Sequence, residues 1–408
     1  MGDNIIPLLV PFFIVGIIVE ALVARRRRAR VYHLPTMVSD LGTGVASQVV
    51  EVFLKAVAIV AYAWIYDHWR LVEFSSGSPW PWVIAFFGID FAFYWWHRLS
   101  HVVNALWAVH VVHHHSEDFN LSVALRQPAL ELTTAFFFYA PLALLGVPAH
   151  VWVTMYALNL FYQFWTHTEL VRSLGPFERV FNTPSHHRVH HGVNPEYLDK
   201  NYGGVFILWD KWFGTYQPEV APVVFGVTTP LRSLNPLWAN LEYYVQVLRT
   251  ASKFPRLGDR VRVWWSHPGW QPAALGPTPA PKPVDRASYT KYDPGAPRNL
   301  TRYVVVHFWI AFVLSGIYLS LEPGVPKLEM ILPGVVVLAT LAALAGLVER
   351  RDWAPSLDMA RQTATVGLVA WYGQQLEPSA AGLGAAAGLA VAFAALRLRL
   401  RPTSAFAP

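Results

Sequence analysis

An all-α polytopic membrane protein of about nine transmembrane helices is the fold class that this sequence predicts. Three observations predict it. Hydrophobic residues fill 54% of the 408 positions and charged residues only 14%, where a soluble domain carries about a quarter charged residues. Apolar runs near the bilayer-crossing length of about 20 residues recur along the chain. Basic residues collect in loops that alternation places on one side of the membrane.

The first candidate span runs from Ile5 to Ala24, and Arg25–Arg28 with Arg30 follow it. A basic cluster after the apolar run, with no small-residue cleavage site, marks a retained span and not a signal peptide. The second span covers Gly42–Tyr66. Glu51 and Lys55 interrupt it, but they stand at i,i+4 and so can neutralise each other on a protein-facing side. The third begins at Trp80 and ends in Trp95, Trp96 and His97, with the tryptophans suited to a membrane interface. A helical hairpin is expected over 129–167, with its tip at Gly146–Val147–Pro148. After Thr168 the chain turns polar, and it is proline-rich from Pro255 to Pro297, which reads as an irregular linker. Four further apolar runs follow at Tyr303–Leu319, Leu328–Leu347, Ala364–Leu376 and Ala380–Leu396. This organisation divides the chain into a catalytic region (1–250), a linker (251–302) and a four-span extension (303–408).

Starting from an outside N-terminus, the Arg25–Arg30 cluster, the loop after His97, the segment 168–302, the 349–361 loop and the run Arg397–Arg401 all fall on the cytoplasmic side. The net charge of +6 therefore speaks to membrane orientation and not to nucleic acid. The absence of cysteine excludes disulfides, iron–sulfur clusters and haem-thiolate ligation, and leaves histidine and carboxylate to bind a metal.

Twelve of the sixteen histidines lie between His97 and His191. His97 and His101 form an H-x-x-x-H pair. His110, His113 and His114 form an H-x-x-H-H box, and His187, His190 and His191 repeat it. Residues three and four apart share a helical face, so each cluster aims its imidazoles one way. Eight converging imidazoles can fill four positions on each of two metal ions, and His167 is a ninth candidate. A lipid-headgroup patch would use arginine and lysine instead. Isolated histidines (His33, His68, His150, His267 and His307) read as structural. His115 and His186, beside the boxes, read as supporting or substrate-facing.

Asp90, Tyr94, His97 and His101 share one helical face, so Asp90 is expected either to accept a hydrogen bond from an imidazole or to cap a polar neighbour. Glu117 and Asn201 are the other candidate catalytic residues. Asn182, Asn194 and Tyr202 are candidate hydrogen-bonding groups near the metals, or turn residues. Imidazole suits iron, copper and zinc alike. Zinc would give hydrolysis through activated water but usually needs only three protein ligands, whereas two iron ions held without bridging carboxylates beside lipid chains would imply dioxygen activation and attack on C–H bonds.

The three boxes resemble those of the membrane-bound fatty acid hydroxylase and sterol desaturase superfamily, over roughly Trp80 to Tyr216. The resemblance implies a non-haem di-iron lipid oxygenase. His97-Arg98, Trp107, Ser116–Ser122, Ala124–Gln127, Asn182–Gly192, Asp199–Gly204 and Trp209–Thr215 are similar to the alkylglycerol monooxygenase branch of that superfamily. This implies dioxygen-dependent hydroxylation beside a glyceryl ether oxygen, release of an aldehyde, and tetrahydrobiopterin as reductant. Within the superfamily the alternative is a fatty acid, sterol or aminolipid hydroxylase or desaturase. Outside it, the alternative is a metal-containing membrane transporter. No G-x-G-x-x-G motif opens a helix after a strand, so the electron donor is expected to arrive as a small molecule or partner. The substrate would be a membrane lipid, and the setting a bacterial inner membrane or the endoplasmic reticulum.

Overall fold

The computed structural model describes residues 6–277, 280–322, 324–376 and 380–399. Ile5 and Arg401, which end the first expected span and the last basic run, lie outside them. The described residues form helices and no strands, with two isolated antiparallel bridges, Phe181 with Phe206 and Gly192 with Phe225. The helices are α1 (Ile6–Arg27), α2 (Leu34–Trp69), α3 (Trp80–Val102), α4 (Asn104–His114), α5 (Glu131–Leu144), α6 (Ala149–Phe164), α7 (Pro184–His190), α8 (Leu208–Phe213), α9 (Pro236–Ala239), α10 (Glu242–Ser252), α11 (Leu257–Arg262), α12 (Arg298–Leu321), α13 (Lys327–Val348), α14 (Ala354–Leu376) and α15 (Ala380–Arg399).

Among the described residues, α2, α12 and α13 are long and apolar enough to cross a membrane, and α5 and Gly384–Leu396 are shorter apolar helices. Helix α2 starts eight positions before the expected Gly42. Pro35 sits in its first turn, where a missing N–H costs no intrahelical bond, so the polar residues before Gly42 are drawn into the helix.

The chain divides into two compact units. The first holds the residues up to His33, Leu54–Leu231 and Asn240–Thr290. The second holds Leu34–Phe53, Arg232–Ala239 and the chain from Lys291 onward. In the first unit, α3 packs with α4, α5 and α6. Its apolar core includes Tyr62, Ile89, Trp96, Tyr139 and Trp152, with Tyr62 stacked on Trp152 at 4.3 Å. The α5–α6 turn needs Gly146, whose φ is +84° and where a Cβ would lie 2.3 Å from the Val72 carbonyl oxygen. The Pro-rich stretch is tied down within this unit: Asn104 Nδ2 donates to Val263 O at 2.7 Å, and Arg286 Nη1 to Val223 O at 3.0 Å. In the second unit, α12, α13 and α14 pack in sequence, and α15 packs on α14.

Candidate metal centre

The eight histidines singled out by spacing and the ninth candidate, His167, come together in two buried groups. His97, His101, His110, His114 and His190 form one, and His113, His167, His187 and His191 form the other. Within each group the nearest ring nitrogens all lie within 4.8 Å of one another, and every member is a histidine. The split follows helix geometry. At about 100° per residue, positions i and i+4 are about 40° apart, while i+3 swings the opposite way. Helix α4 therefore gives its i,i+4 pair, His110 and His114, to the first group and His113 to the second. In α7 the roles reverse: His187 and His191 join the second group and His190 the first. Each H-x-x-H-H box thus straddles both groups. Helix α3 adds His97 and His101, and the turn after α6 adds His167.

Four imidazoles are oriented by backbone carbonyls. His97 Nδ1 donates to Tyr202 O at 2.8 Å, His113 Nδ1 to Arg126 O at 3.0 Å, His167 Nδ1 to Gln163 O at 3.0 Å, and His190 Nδ1 to Lys200 O at 2.9 Å. A carbonyl only accepts, so these Nδ1 atoms carry the proton and each neutral ring keeps a bare lone pair on Nε2. Nε2 atoms also meet within each group: His167 and His113 at 3.2 Å, His187 and His167 at 2.9 Å, His190 and His114 at 3.2 Å. The His167–His113 pair has a bare lone pair on each side, so no hydrogen bond can join it. His97 Nε2 and His101 Nε2 are buried without a hydrogen-bond partner.

Two bare lone pairs at this distance repel unless a cation reconciles them. A proton is disfavoured. Burial holds His113 down to about 4 and His190 to about 3, and it keeps His110, His114, His187 and His191 well below the ordinary histidine range. A metal ion fits, because two nitrogens each about 2.0–2.1 Å from one ion stand about 3 Å apart.

The residues around the groups hold the carbonyls in place. Asp90, fully buried, accepts from Val205 N at 2.6 Å, Phe206 N at 3.0 Å, Trp209 Nε1 at 2.8 Å and Asn159 Nδ2 at 2.9 Å. Its partners are amides and an indole, not an imidazole; a buried carboxylate in an apolar helix is best satisfied by several fixed N–H donors. Asn182 Nδ2 donates to Gly203 O at 2.6 Å and Gly204 O at 3.2 Å. Together Asp90 and Asn182 clasp the 203–206 loop just after Tyr202.

Asn201 adopts a left-handed φ of 56°, which asparagine tolerates better than most residues. Its side chain donates to His186 O and Gln217 O and accepts from Gln217 N. Its neighbours' carbonyls, on Lys200 and Tyr202, are the ones that meet His190 and His97. Glu117 is half-buried and accepts from Tyr289 Oη at 2.8 Å. Asn194 holds Val224 N and Pro222 O. His115 and His186 stand outside both groups, each with a buried Nδ1 that has no hydrogen-bond partner. His267 pairs with Asp199 at 3.1 Å.

Two residues carry more than their sequence context suggested. Glu20 of α1 is buried and accepts from Thr168 Oγ1, Tyr32 Oη and Leu121 N, so it anchors the residue next to His167. A carboxylate inside an apolar run was the available signal. Asp210 accepts from Tyr202 N at 2.7 Å, Gly203 N at 2.8 Å and Thr215 Oγ1 at 2.7 Å. Burial pushes its carboxyl up to about 6, against the lowering effect of those hydrogen bonds. Behind the second group, Phe119 lies against His167 and stacks on Phe225 at 4.7 Å. With Val189, Tyr197 and Val223 they make an apolar wall.

Residues 82–215, which hold all nine histidines, match the fatty acid hydroxylase family. The chain is 37% identical to an alkylglycerol monooxygenase of Danio rerio over 358 residues, covering 86% of this chain and 79% of the relative. It is 35% identical to the Homo sapiens alkylglycerol monooxygenase over 354 residues, with the same coverage. An ornithine lipid hydroxylase of Rhizobium tropici is 29% identical over 214 residues, covering 47% of this chain and 59% of the relative. No solved structure matches the chain.

Proposed function

Because the chain belongs to the alkylglycerol monooxygenase family, whose catalytic region is a fatty acid hydroxylase domain, we propose that this membrane-bound lipid monooxygenase acts on glyceryl ether lipids. The carbon next to the ether oxygen exchanges a C–H for a C–OH bond. One atom of dioxygen enters the lipid, and the other leaves as water with two electrons and two protons from the reductant. The hemiacetal then collapses, breaking its C–O bond to the glycerol part, to a fatty aldehyde and a free glycerol hydroxyl.

The observation that carries this reading is the pair of all-histidine groups whose Nε2 atoms meet at about hydrogen-bond distance, with bare lone pairs on both sides of the His167–His113 contact. His97, His101, His110, His114 and His190 would hold one iron, and His113, His167, His187 and His191 the other. The iron pair, when bound, supplies the dioxygen activation that histidine side chains lack. The chain's own groups do the rest. The carbonyls of Tyr202, Arg126, Gln163 and Lys200 keep four Nδ1 protons in place and so keep four Nε2 lone pairs aimed inward. Phe119 and Phe225 exclude water from the second group.

The same reading takes about nine spans, with the histidines at the cytoplasmic face. The Arg25–Arg28 run supports it, because basic residues favour that side. An amphiphile would then enter with its head in the polar segment and its ether carbon one bond deeper. The resemblance to alkylglycerol monooxygenase implies tetrahydrobiopterin as the two-electron donor, and we propose that role for it here. The ornithine lipid hydroxylase likeness favours one alternative, hydroxylation of an aminolipid chain. Membranes containing the protein, given an alkylglycerol, dioxygen and tetrahydrobiopterin, should release fatty aldehyde. Hydroxylation of an aminolipid without aldehyde from any alkylglycerol would replace the ether reading with the alternative.

A further inference from the structure

The second unit contains a polar network that the oxygenase site does not use. Asp358 and Arg361, both buried, pair at 2.5 Å in α14. Asp358 also accepts from Tyr303 Oη at 2.6 Å and Gln362 Nε2 at 2.8 Å. Arg361 Nη2 donates to His307 Nδ1 at 2.8 Å. Tyr303 and His307 lie on α12, a helix apolar enough to cross a membrane. Ionisable groups inside such a bundle are costly, and they mark function more often than structure.

A cavity of about 140 Å³ opens beside this network. That volume is similar to engineered apolar cavities of about 150 Å³ that take up a benzene ring. Ile310, Leu314, Val337 and Leu368 give it an apolar lining, and Arg361 and Tyr318 also face it. The remaining polar lining is already satisfied: Thr340 Oγ1 donates to Val336 O, and Thr365 Oγ1 to Arg361 O. Two donors remain. Arg361 Nη1 takes no part in the bonds to Asp358 and His307. The Tyr318 hydroxyl, in a residue 6% exposed, has no hydrogen-bond partner among the described residues. The site is therefore small and apolar, with the Arg361 guanidinium and the Tyr318 hydroxyl as donors in its lining.

We propose that this cavity, separate from the histidine groups, is a lipid-binding site that takes the oxygen-bearing end of one alkyl chain with an uncharged acceptor: a long-chain alcohol, aldehyde or ether. The charge of Arg361 is already matched by Asp358, so a carboxylate would add an unmatched negative charge in an apolar bundle. A neutral oxygen accepts from Nη1 without that cost, and the first few carbons of the chain fill the apolar lining.

The test is photolabelling of the full-length, iron-loaded protein in lipid nanodiscs with a diazirine-bearing long-chain primary alcohol, followed by mapping of the labelled peptides. Label should concentrate on α12, α13 and α14. Unlabelled long-chain alcohol should displace it at least tenfold more effectively than the matching fatty acid. Leu314→Trp, which fills the cavity, should cut labelling about tenfold while iron content and aldehyde release stay unchanged. If Leu314→Trp does not fold, Val337→Phe takes its place, and the wild-type label map still decides. Label spread evenly over bilayer-facing residues and indifferent to competitor would mean annular lipid only and overturn the proposal. So would label undiminished in a folded cavity-filling variant, or a fatty acid that competes better than the alcohol.

Discussion

Asp210 and His97 grip opposite ends of one peptide group. The Tyr202 carbonyl accepts from His97 Nδ1 at 2.8 Å, and the N–H of the same peptide, on Gly203, donates to Asp210 Oδ2 at 2.8 Å. Hydrogen bonds in a chain polarise one another. The carboxylate thus acts on the imidazole through a peptide, where metal sites often place carboxylate and imidazole in direct contact.

Asp210→Asn keeps the shape of the side chain and removes its charge. The variant should fold, yet lose iron to a chelator about 10–100-fold more readily, the usual range for altering such an outer hydrogen bond. Chelator competition followed by absorbance measures this. Iron retention equal to wild type in a folded Asp210→Asn protein would show that the peptide link carries no influence.

Purified protein should contain about two iron atoms per chain, from four or more nitrogen ligands per ion. His190→Ala should lower iron content and abolish aldehyde release. His267→Ala should do neither, since His267 is half-exposed and bonded to Asp199. Elemental analysis beside the activity assay tests both. Full activity in His190→Ala would refute the ligand assignment.

The metal-free protein should lose stability as pH falls below about 6.5. His113 and His190 are held to about 4 and about 3 in the folded state, while in the unfolded chain they titrate near 6.5. Between those values the unfolded state binds more protons than the folded one. Stability is therefore greatest above the unfolded value and declines as pH drops through the window. Thermal melts of chelated protein at stepped pH follow it. A melting temperature that rises on acidification across this window would contradict neutral, buried imidazoles.

Gly204→Ala should destabilise the first unit, because a Cβ there would lie 2.7 Å from Asp90 Oδ1 and 3.0 Å from Phe93. Opening the clasp on the 203–206 loop costs about 1–3 kcal/mol for each buried hydrogen bond left unmade. The variant should melt lower and hold less iron. A wild-type melting temperature would mean the loop yields freely.

A reporter fused after Gly192 should read as cytoplasmic and one in the 75–78 loop as external, if the positive-inside rule governs the Arg25–Arg28 run. Protease accessibility or an enzyme fusion measures this. An external Gly192 fusion would separate the histidines from the cytoplasmic leaflet.

Eight of the nine gathered histidines were legible because i, i+3 and i+4 spacing survives in any helix; His167, which has no such neighbour, stood apart. The division between two groups was not legible. It depends on how α4 and α7 are rotated by packing, which spacing alone does not contain. Asp90 was legible as a buried carboxylate, but its partners were not, since Val205 and Phe206 offer backbone amides from more than a hundred residues away. Asn201 stood out as a polar residue near the boxes. Its role comes from a left-handed φ that turns two neighbouring carbonyls towards the histidines, and a one-letter sequence does not display φ. Glu20 was overlooked because the apolar run around it dominates the reading. The hairpin over 129–167 was plain, since Gly146 and Pro148 punctuate two apolar runs.

The most direct test is to supply heavy-oxygen-labelled dioxygen, an alkylglycerol and tetrahydrobiopterin to the purified protein, trap the aldehyde at once by reduction to the alcohol, and weigh the products. The proposed chemistry puts one heavy oxygen in the fatty alcohol and none in the released glycerol. Fatty alcohol carrying only water-derived oxygen, or intact alkylglycerol with the heavy atom elsewhere on its chain, would contradict it.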